Sequence, residues 1–247
     1  MIGAIVVTNE VDAKRWFGQL LPELTRFDVK VAWILDHCSK ETKQIVNDFP
    51  LTVGVKLRDG KEEIFREKWR QDGLEPLRKA GCKWALLWDT DDTFYGNAPD
   101  IIKKAVEGET RPAGLIRRIS IWDVDGQQFV RVDGPFSPTG NGTQTNRAIL
   151  YNLDYELIWM DNVTHGPHSF LNGEEVSGEF QVEAYSIHWG LKDHELRKEH
   201  KIRWDTNYTS AIGRNPYKLW DYTLDESITP EYIHFSEWEK SHGQEAI

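Results

Sequence analysis

Four short apolar runs constrain this chain more than any other feature: residues 2–7, 29–35, 51–57 and 84–88. Each is long enough for a buried strand and short for a helix. Between the first two, Trp16, Phe17, Leu20, Leu21 and Leu24 fall on one helical face of residues 11–26. Residues 40–48 predict a short helix, and residues 62–79 a long polar one, broken near Gly73 and Pro76 and ended by Gly81. Strand–helix alternation at these spacings means βαβ units and a parallel sheet. Ligands of such sheets bind outside the carboxyl ends of the strands. Asp36 and Asp89 follow two of the runs directly, so they stand at such ends.

Past residue 110 the pattern changes. Apolar residues 115–122 and 128–132 flank Asp123-Val124-Asp125-Gly126, which predicts a hairpin. Residues 133–146 are rich in Gly, Pro, Ser, Thr and Asn and predict a long loop; strand-like runs return at 148–151, 157–160 and 182–188. The expectation is a single α/β domain over 1–247, with a Rossmann-like half at 1–110. The half at 111–247 is more antiparallel and ends in a polar C-terminal extension.

Composition narrows the function. With 40 acidic against 30 basic residues the formal charge is −10, and no basic patch of the kind that grips a phosphate polymer stands out. The densest basic run, 192–203, reads as a solvated helix face or as a pocket for one diphosphate. No apolar stretch approaches the roughly 18 residues of a membrane span, and the opening lacks the basic leader of a signal peptide. Two cysteines, Cys38 and Cys82, cannot make a disulfide scaffold, so a reducing, cytoplasmic setting is expected. Eleven tryptophans are expected mostly in the core, with one or two as flat platforms for a sugar ring.

The strongest chemical signal is Trp84-Ala-Leu-Leu-Trp-Asp-Thr-Asp-Asp92. Three carboxylates crowd the end of a buried strand, where like charges raise one another's pKa unless a cation intervenes. Hard oxygen ligands suit Mg²⁺ or Mn²⁺, which could hold a diphosphate and stabilise its charge as it leaves. The plainer reading is that Asp89 ends a strand and Asp92 caps a following helix.

With Trp69-Arg70-Gln71-Asp72-Gly73-Leu74, Ala80-Gly81-Cys82-Lys83-Trp84 and Trp88-Asp-Thr-Asp-Asp92, the chain resembles glycosyltransferase family 2. In that family an Arg-Asn-x-Gly-Leu helix precedes a strand ending in an Asp-x-Asp motif. Val6-Val7-Thr8-Asn9-Glu10 is similar to the family's first strand and turn, and Leu35-Asp36-His37-Cys38-Ser39-Lys40-Glu41-Thr42 to its second strand end. Ile187-His188-Trp189-Gly190 resembles the late His-aromatic-Gly segment of one subgroup, and Asn162-Val163-Thr164-His165-Gly166 partly echoes its Val-His-Glu motif.

The resemblance implies a GT-A fold and transfer of a sugar from a nucleotide donor, most often a UDP-sugar, usually with inversion. It implies a metal site of Asp89, Asp91 and His188, with Asp89 on the ion or the ribose. Thr8, Asn9, Asp36 and Arg70 would line the nucleotide pocket, and Lys192, Arg197 or Lys198 would meet the diphosphate. Asp161, His165 and Glu183 are the candidate bases. The acceptor is a glycan, a protein side chain or a modified nucleobase.

Two other classes compete. Asp89-Thr90-Asp91-Asp92-Thr93 also matches the nucleophile motif of haloacid-dehalogenase-like phosphatases, although that motif normally lies on the first strand and three strands precede it here. A non-catalytic sugar-binding protein would use the tryptophans but give the acidic cluster no purpose.

Overall fold

The structure, a computed structural model, describes residues 1–58, 66–124, 126–131, 146–159, 167–189, 195–196, 198 and 232–242. The four apolar runs form β1 (Ile2–Asn9), β2 (Lys30–Asp36), β3 (Thr52–Arg58) and β4 (Trp84–Asp89). They pair in parallel in the order β3-β2-β1-β4, so all four carboxyl ends share one edge.

Helices cover both faces of this array. Val6 lies in register with Trp33, whose ring meets Phe17 of α1 (Glu10–Phe27) at 5.6 Å. Successive strand residues face opposite ways, so Gly3 and Ile5 face the other side. There a 3-10 helix, Arg66–Gly73, runs directly into α3 (Leu74–Lys79). The approach is close enough to require glycine: a Cβ on Gly3 would meet Leu77 at 2.5 Å, and one on Gly73 would meet Ile5 at 2.8 Å. The long helix expected over 62–79 is this pair of elements, with residues 59–65 outside the described ones. Pro76 is tolerated because it falls in the first turn of α3, where an amide N–H has no partner to lose.

The short helix expected over 40–48 is α2 (Lys40–Asp48); between the expected segments lie β5 (Asp92–Phe94) and α4 (Ala98–Ala105). Asp92 therefore opens a strand and does not cap a helix. The expected hairpin is β6 (Ala113–Val124) with β7 (Gln127–Arg131), antiparallel. Then follow β8 (Asn146–Asn152), β9 (Glu156–Ile158), β10 (His168–Leu171), β11 (Glu174–Val176), β12 (Glu179–His188), β13 (Tyr232–His234) and α5 (Phe235–His242). Strands β9, β10 and β11 form a separate small sheet.

The second half is more antiparallel, as the sequence predicts, and its reversals place the site. Strand β8 runs antiparallel to β4, β6 antiparallel to β8, and β12 parallel to β6. Two reversals cancel, so β12 runs in the direction of β4. Its last residue, His188, thus arrives at the edge where Asp89 ends β4. The fold class is the expected one: α/β, with a Rossmann-like parallel array flanked by helices. No described helix is long and apolar enough to cross a membrane.

Candidate active site at the carboxyl edge of the sheet

The turn from β4 to β5 is fixed from below. Phe27, Trp88 and Phe94 pack ring against ring at 4.7 to 4.9 Å. The Trp88 indole N–H donates to the Asp92 carbonyl at 3.0 Å. From β12's side, the Trp189 amide donates to the Asp91 carbonyl at 2.9 Å, and its indole N–H to the Thr93 hydroxyl at 2.9 Å. Strand β5 folds back antiparallel on β12 with His188 opposite Asp92.

This register brings His188 Nδ1 to 3.0 Å from Asp92 Oδ1 and 3.5 Å from Asp91 Oδ2. One ligand atom from each of Asp91, Asp92 and His188 falls within 4.8 Å of the others. Two carboxylates and an imidazole are a suitable donor set for a divalent ion. Burial raises the Asp91 carboxyl above its ordinary 3.8; the neighbouring Asp92 and Asp89 raise it further, against the opposing pull of His188 and Arg118.

Asp89 belongs to a different arrangement. Its Oδ1 accepts from Arg70 Nη2, and its Oδ2 from Arg118 Nη2 at 3.3 Å. Arg70 comes from the 3-10 helix with its side chain only 6% exposed, seated by the close packing at Gly73. Arg118 comes from β6, and the same Nη2 also reaches Asp92 Oδ1 at 2.8 Å and His188 Nδ1 at 2.6 Å. A guanidinium only donates. In the Arg118 contact His188 Nδ1 therefore accepts, whereas in its 3.0 Å contact with Asp92 Oδ1 the same nitrogen would donate, so the two contacts call for different ring tautomers. Among the described residues the buried Nε atoms of Arg70 and Arg118 have no hydrogen-bond partner.

The ends of β1 and β2 supply the adjoining part of the edge. Asn9 stands in register with Asp36, and Val7 with Asp89. Thr8 is buried and its hydroxyl donates to the Asn9 carbonyl at 3.2 Å. Asn9 caps α1 by accepting from the Asp12 amide at 2.8 Å. Asp36 is buried beside His37, whose Nδ1 lies 2.8 Å from its Oδ1. His37 takes a left-handed turn, φ 49°. Glu10 fastens the next turn by accepting from the Ser39 amide at 2.8 Å and the Thr42 hydroxyl at 2.7 Å. These bonds, with Lys14, hold its carboxyl down at about 2.

Thus Thr8, Asn9, Asp36, Arg70, Asp89, Asp91 and His188 gather along one edge, as the sequence reading requires. Glu183 does not join them: it lies five residues before His188 on β12, roughly 15 Å back along the strand, its side chain 65% exposed and paired with Arg117 at 3.4 Å. Lys198 is exposed. Asp161, His165, Lys192 and Arg197 lie outside the described residues.

Two residues of the site are missing from the ligand set that the sequence suggests. Asp92 enters the sequence reading as one of three crowded carboxylates, or more plainly as a helix cap, because its pairing with His188 spans 96 positions. Arg118 carried a usable signal: Arg117 and Arg118 interrupt an otherwise apolar strand, where an arginine needs a partner. Most tryptophans are core, as expected; Trp33, Trp88 and Trp238 are almost fully buried.

No protein-family model and no curated protein matches the chain. Among solved structures, S. aureus TarS 1–349 aligns over 90% of this chain and 69% of its own, at 13% identity and a TM-score of 0.44. The same protein in complex with UDP-GlcNAc aligns over 91% and 70%, at 14% identity and 0.42. A 4-diphosphocytidyl-2C-methyl-D-erythritol synthase aligns over 62% of this chain and 76% of its own, at 13% identity and 0.37. Likenesses this distant carry no functional argument, so the chemistry rests on the edge itself: three aspartates, a histidine, the buried Arg70 and the partly buried Arg118 where four parallel strands end.

Proposed function

We propose that the chain is a glycosyltransferase that moves a sugar from a nucleoside diphosphate to an acceptor on a glycan, a protein side chain or a modified nucleobase. A UDP-sugar is the proposed donor, and the proposed setting is cytoplasmic, with 1–247 acting as one domain. The observation that carries this reading is the meeting of Asp91, Asp92 and His188 with Arg118, next to the Arg70–Asp89 pair and the strand ends of Asn9 and Asp36. Thr8, Asn9 and Asp36 would receive the nucleoside, and Asp89, held by two arginines, would face the ribose.

Asp91, Asp92 and His188 would hold Mn²⁺ or Mg²⁺, whose charge offsets that of the departing diphosphate. In the reaction the acceptor oxygen forms a bond to the anomeric carbon as the bond to the diphosphate oxygen breaks. The acceptor's proton passes to a base. Asp161 and His165 are the proposed candidates for it, Glu183 lying too far back along β12, and attack from the opposite side gives inversion. Arg70 would add a fixed positive charge to the leaving side.

A phosphatase using Asp89 as nucleophile fits less well, because both carboxylate oxygens of Asp89 already accept from arginines. A thermal-shift screen of nucleotide sugars, with and without Mn²⁺, tests the proposal, since a ligand of the native state raises the melting temperature by mass action. Stabilisation by one nucleotide sugar, followed by its turnover, is the expected result. Hydrolysis of a chromogenic phosphate that is lost in Asp89→Asn would overturn it.

A further inference from the structure

We infer that Arg118 is the resident cation of the Asp91–Asp92–His188 cluster, and that a divalent ion enters only by displacing it. The inference concerns the cation chemistry of the cluster and does not rest on the sugar-transfer reading.

Three observations carry it. First, the Arg118 Nη2 atom already sits where a shared cation would sit, 2.6 Å from His188 Nδ1, 2.8 Å from Asp92 Oδ1 and 3.3 Å from Asp89 Oδ2. Second, Nδ1 is the ring nitrogen that faces both Asp91 and Asp92. In its contact with Arg118 that nitrogen can only accept, through its one lone pair. The same lone pair cannot also ligate a metal, so the two cations exclude each other at this atom. Third, the present contacts of Arg118 are poorly distributed. One nitrogen with two hydrogens faces three acceptor groups, while the buried Nε of the same group has no partner among the described residues. Arg70 differs: its pairing with Asp89 leaves the three cluster residues untouched.

Charge adds to the exclusion. A guanidinium in contact with Asp92 repels an arriving divalent ion and lowers the negative charge that would attract it. Arg118 is 17% exposed at its side chain, so it borders open space into which it can swing while remaining tethered to β6. The cluster is thus a guarded metal site, in which the energy of binding an ion is reduced by the cost of breaking the arginine contacts.

Mn²⁺ binding to chelator-stripped protein, followed by electron paramagnetic resonance of the free ion, tests this without any turnover. Arg118→Met should bind Mn²⁺ at least about tenfold more tightly than the parent. Arg118→Lys, which keeps a positive charge, should bind less tightly than Arg118→Met. The double variant Arg118→Met/Asp92→Asn should lose the gain. Equal or weaker binding by Arg118→Met overturns the inference. Removing Arg118 also leaves the carboxylates uncompensated, so the metal-free variant is expected to melt earlier and to recover more on adding Mn²⁺ than the parent does. A variant that stays unfolded in saturating Mn²⁺ counts against the inference in the same way.

Discussion

Two stretches of one sheet edge treat their acidic groups in opposite ways. At the ends of β1 and β2, Glu10 is held by donors from the next turn, the Ser39 amide and the Thr42 hydroxyl. At the ends of β4 and β12, the carboxylates of Asp89 and Asp92 are held by arginines brought from the 3-10 helix and from β6. The first arrangement joins adjacent turns and lowers a carboxyl's pKa; the second leaves Asp91 crowded by like charges, with its pKa raised. Hydrogen bonds to a carboxylate favour its charged form, whereas burial beside other carboxylates penalises it. The contrast teaches that the first stretch is built to hold shape and the second to be completed by something else.

The largest expected effect sharpens that division. Asp91→Asn should cut sugar transfer by about 100-fold or more, measured as donor turnover, because it removes a ligand of the ion proposed to offset the charge of the departing diphosphate. The same variant should be more stable than the parent at neutral pH without divalent ions. The sign follows from the raised pKa. The native state favours protonated Asp91, so its contribution is fully present below the ordinary 3.8 and is lost as pH rises through the raised folded-state value. The stability gain of Asp91→Asn should therefore vanish in acid, as read from urea midpoints. A gain that persists unchanged below that range breaks the comparison.

Next in size is the buried pair. Arg70→Met should cost about 3 kcal/mol of stability, because it strands a partly buried carboxylate. Adding Asp89→Asn to it should recover part of the loss; no recovery in the double variant would mean that Arg70 acts through packing alone.

The first stretch should respond more mildly. Glu10→Gln should cost about 1.5 kcal/mol, since hydrogen bonds to a charged acceptor are among the stronger ones. Its pH dependence runs opposite to that of Asp91. The parent keeps the Glu10 contribution above the ordinary 4.5 and loses it as pH falls toward about 2. The parent and Glu10→Gln should converge in that window, and parallel curves would deny Glu10 its role. Smallest of all, Trp189→Phe removes the indole bond to Thr93 and should cost about 1 kcal/mol; a larger loss, seen as a greater drop in melting temperature than for Glu10→Gln, would give Trp189 a part in holding His188.

Much of this was legible from the chain. β1, β2 and β4 are short apolar runs buried on both faces, and such runs announce themselves without any partner. The Asp-Thr-Asp-Asp string could be placed at a strand end because it follows Trp88 directly. His188 was found through its aromatic-Gly surroundings. Strands β10, β11 and β13 were not found, being only three or four residues long, too short to show an alternating pattern. Strand β5 was missed because its first residue, Asp92, belongs to the acidic string. Arg118 stood in view as a charge inside an apolar strand, but nothing local says which carboxylate it serves.

The amino-acid sequence by itself determined the parallel array, the edge on which a ligand can sit and the acidic turn at that edge. These follow from strand periodicity and from chemistry carried within a few consecutive residues. Only the tertiary structure decided which charges meet. Arg70, Asp92, Arg118 and His188 are joined through two strand reversals and a helix pressed onto β1, and pairing across such separations is set by packing, which no local pattern encodes.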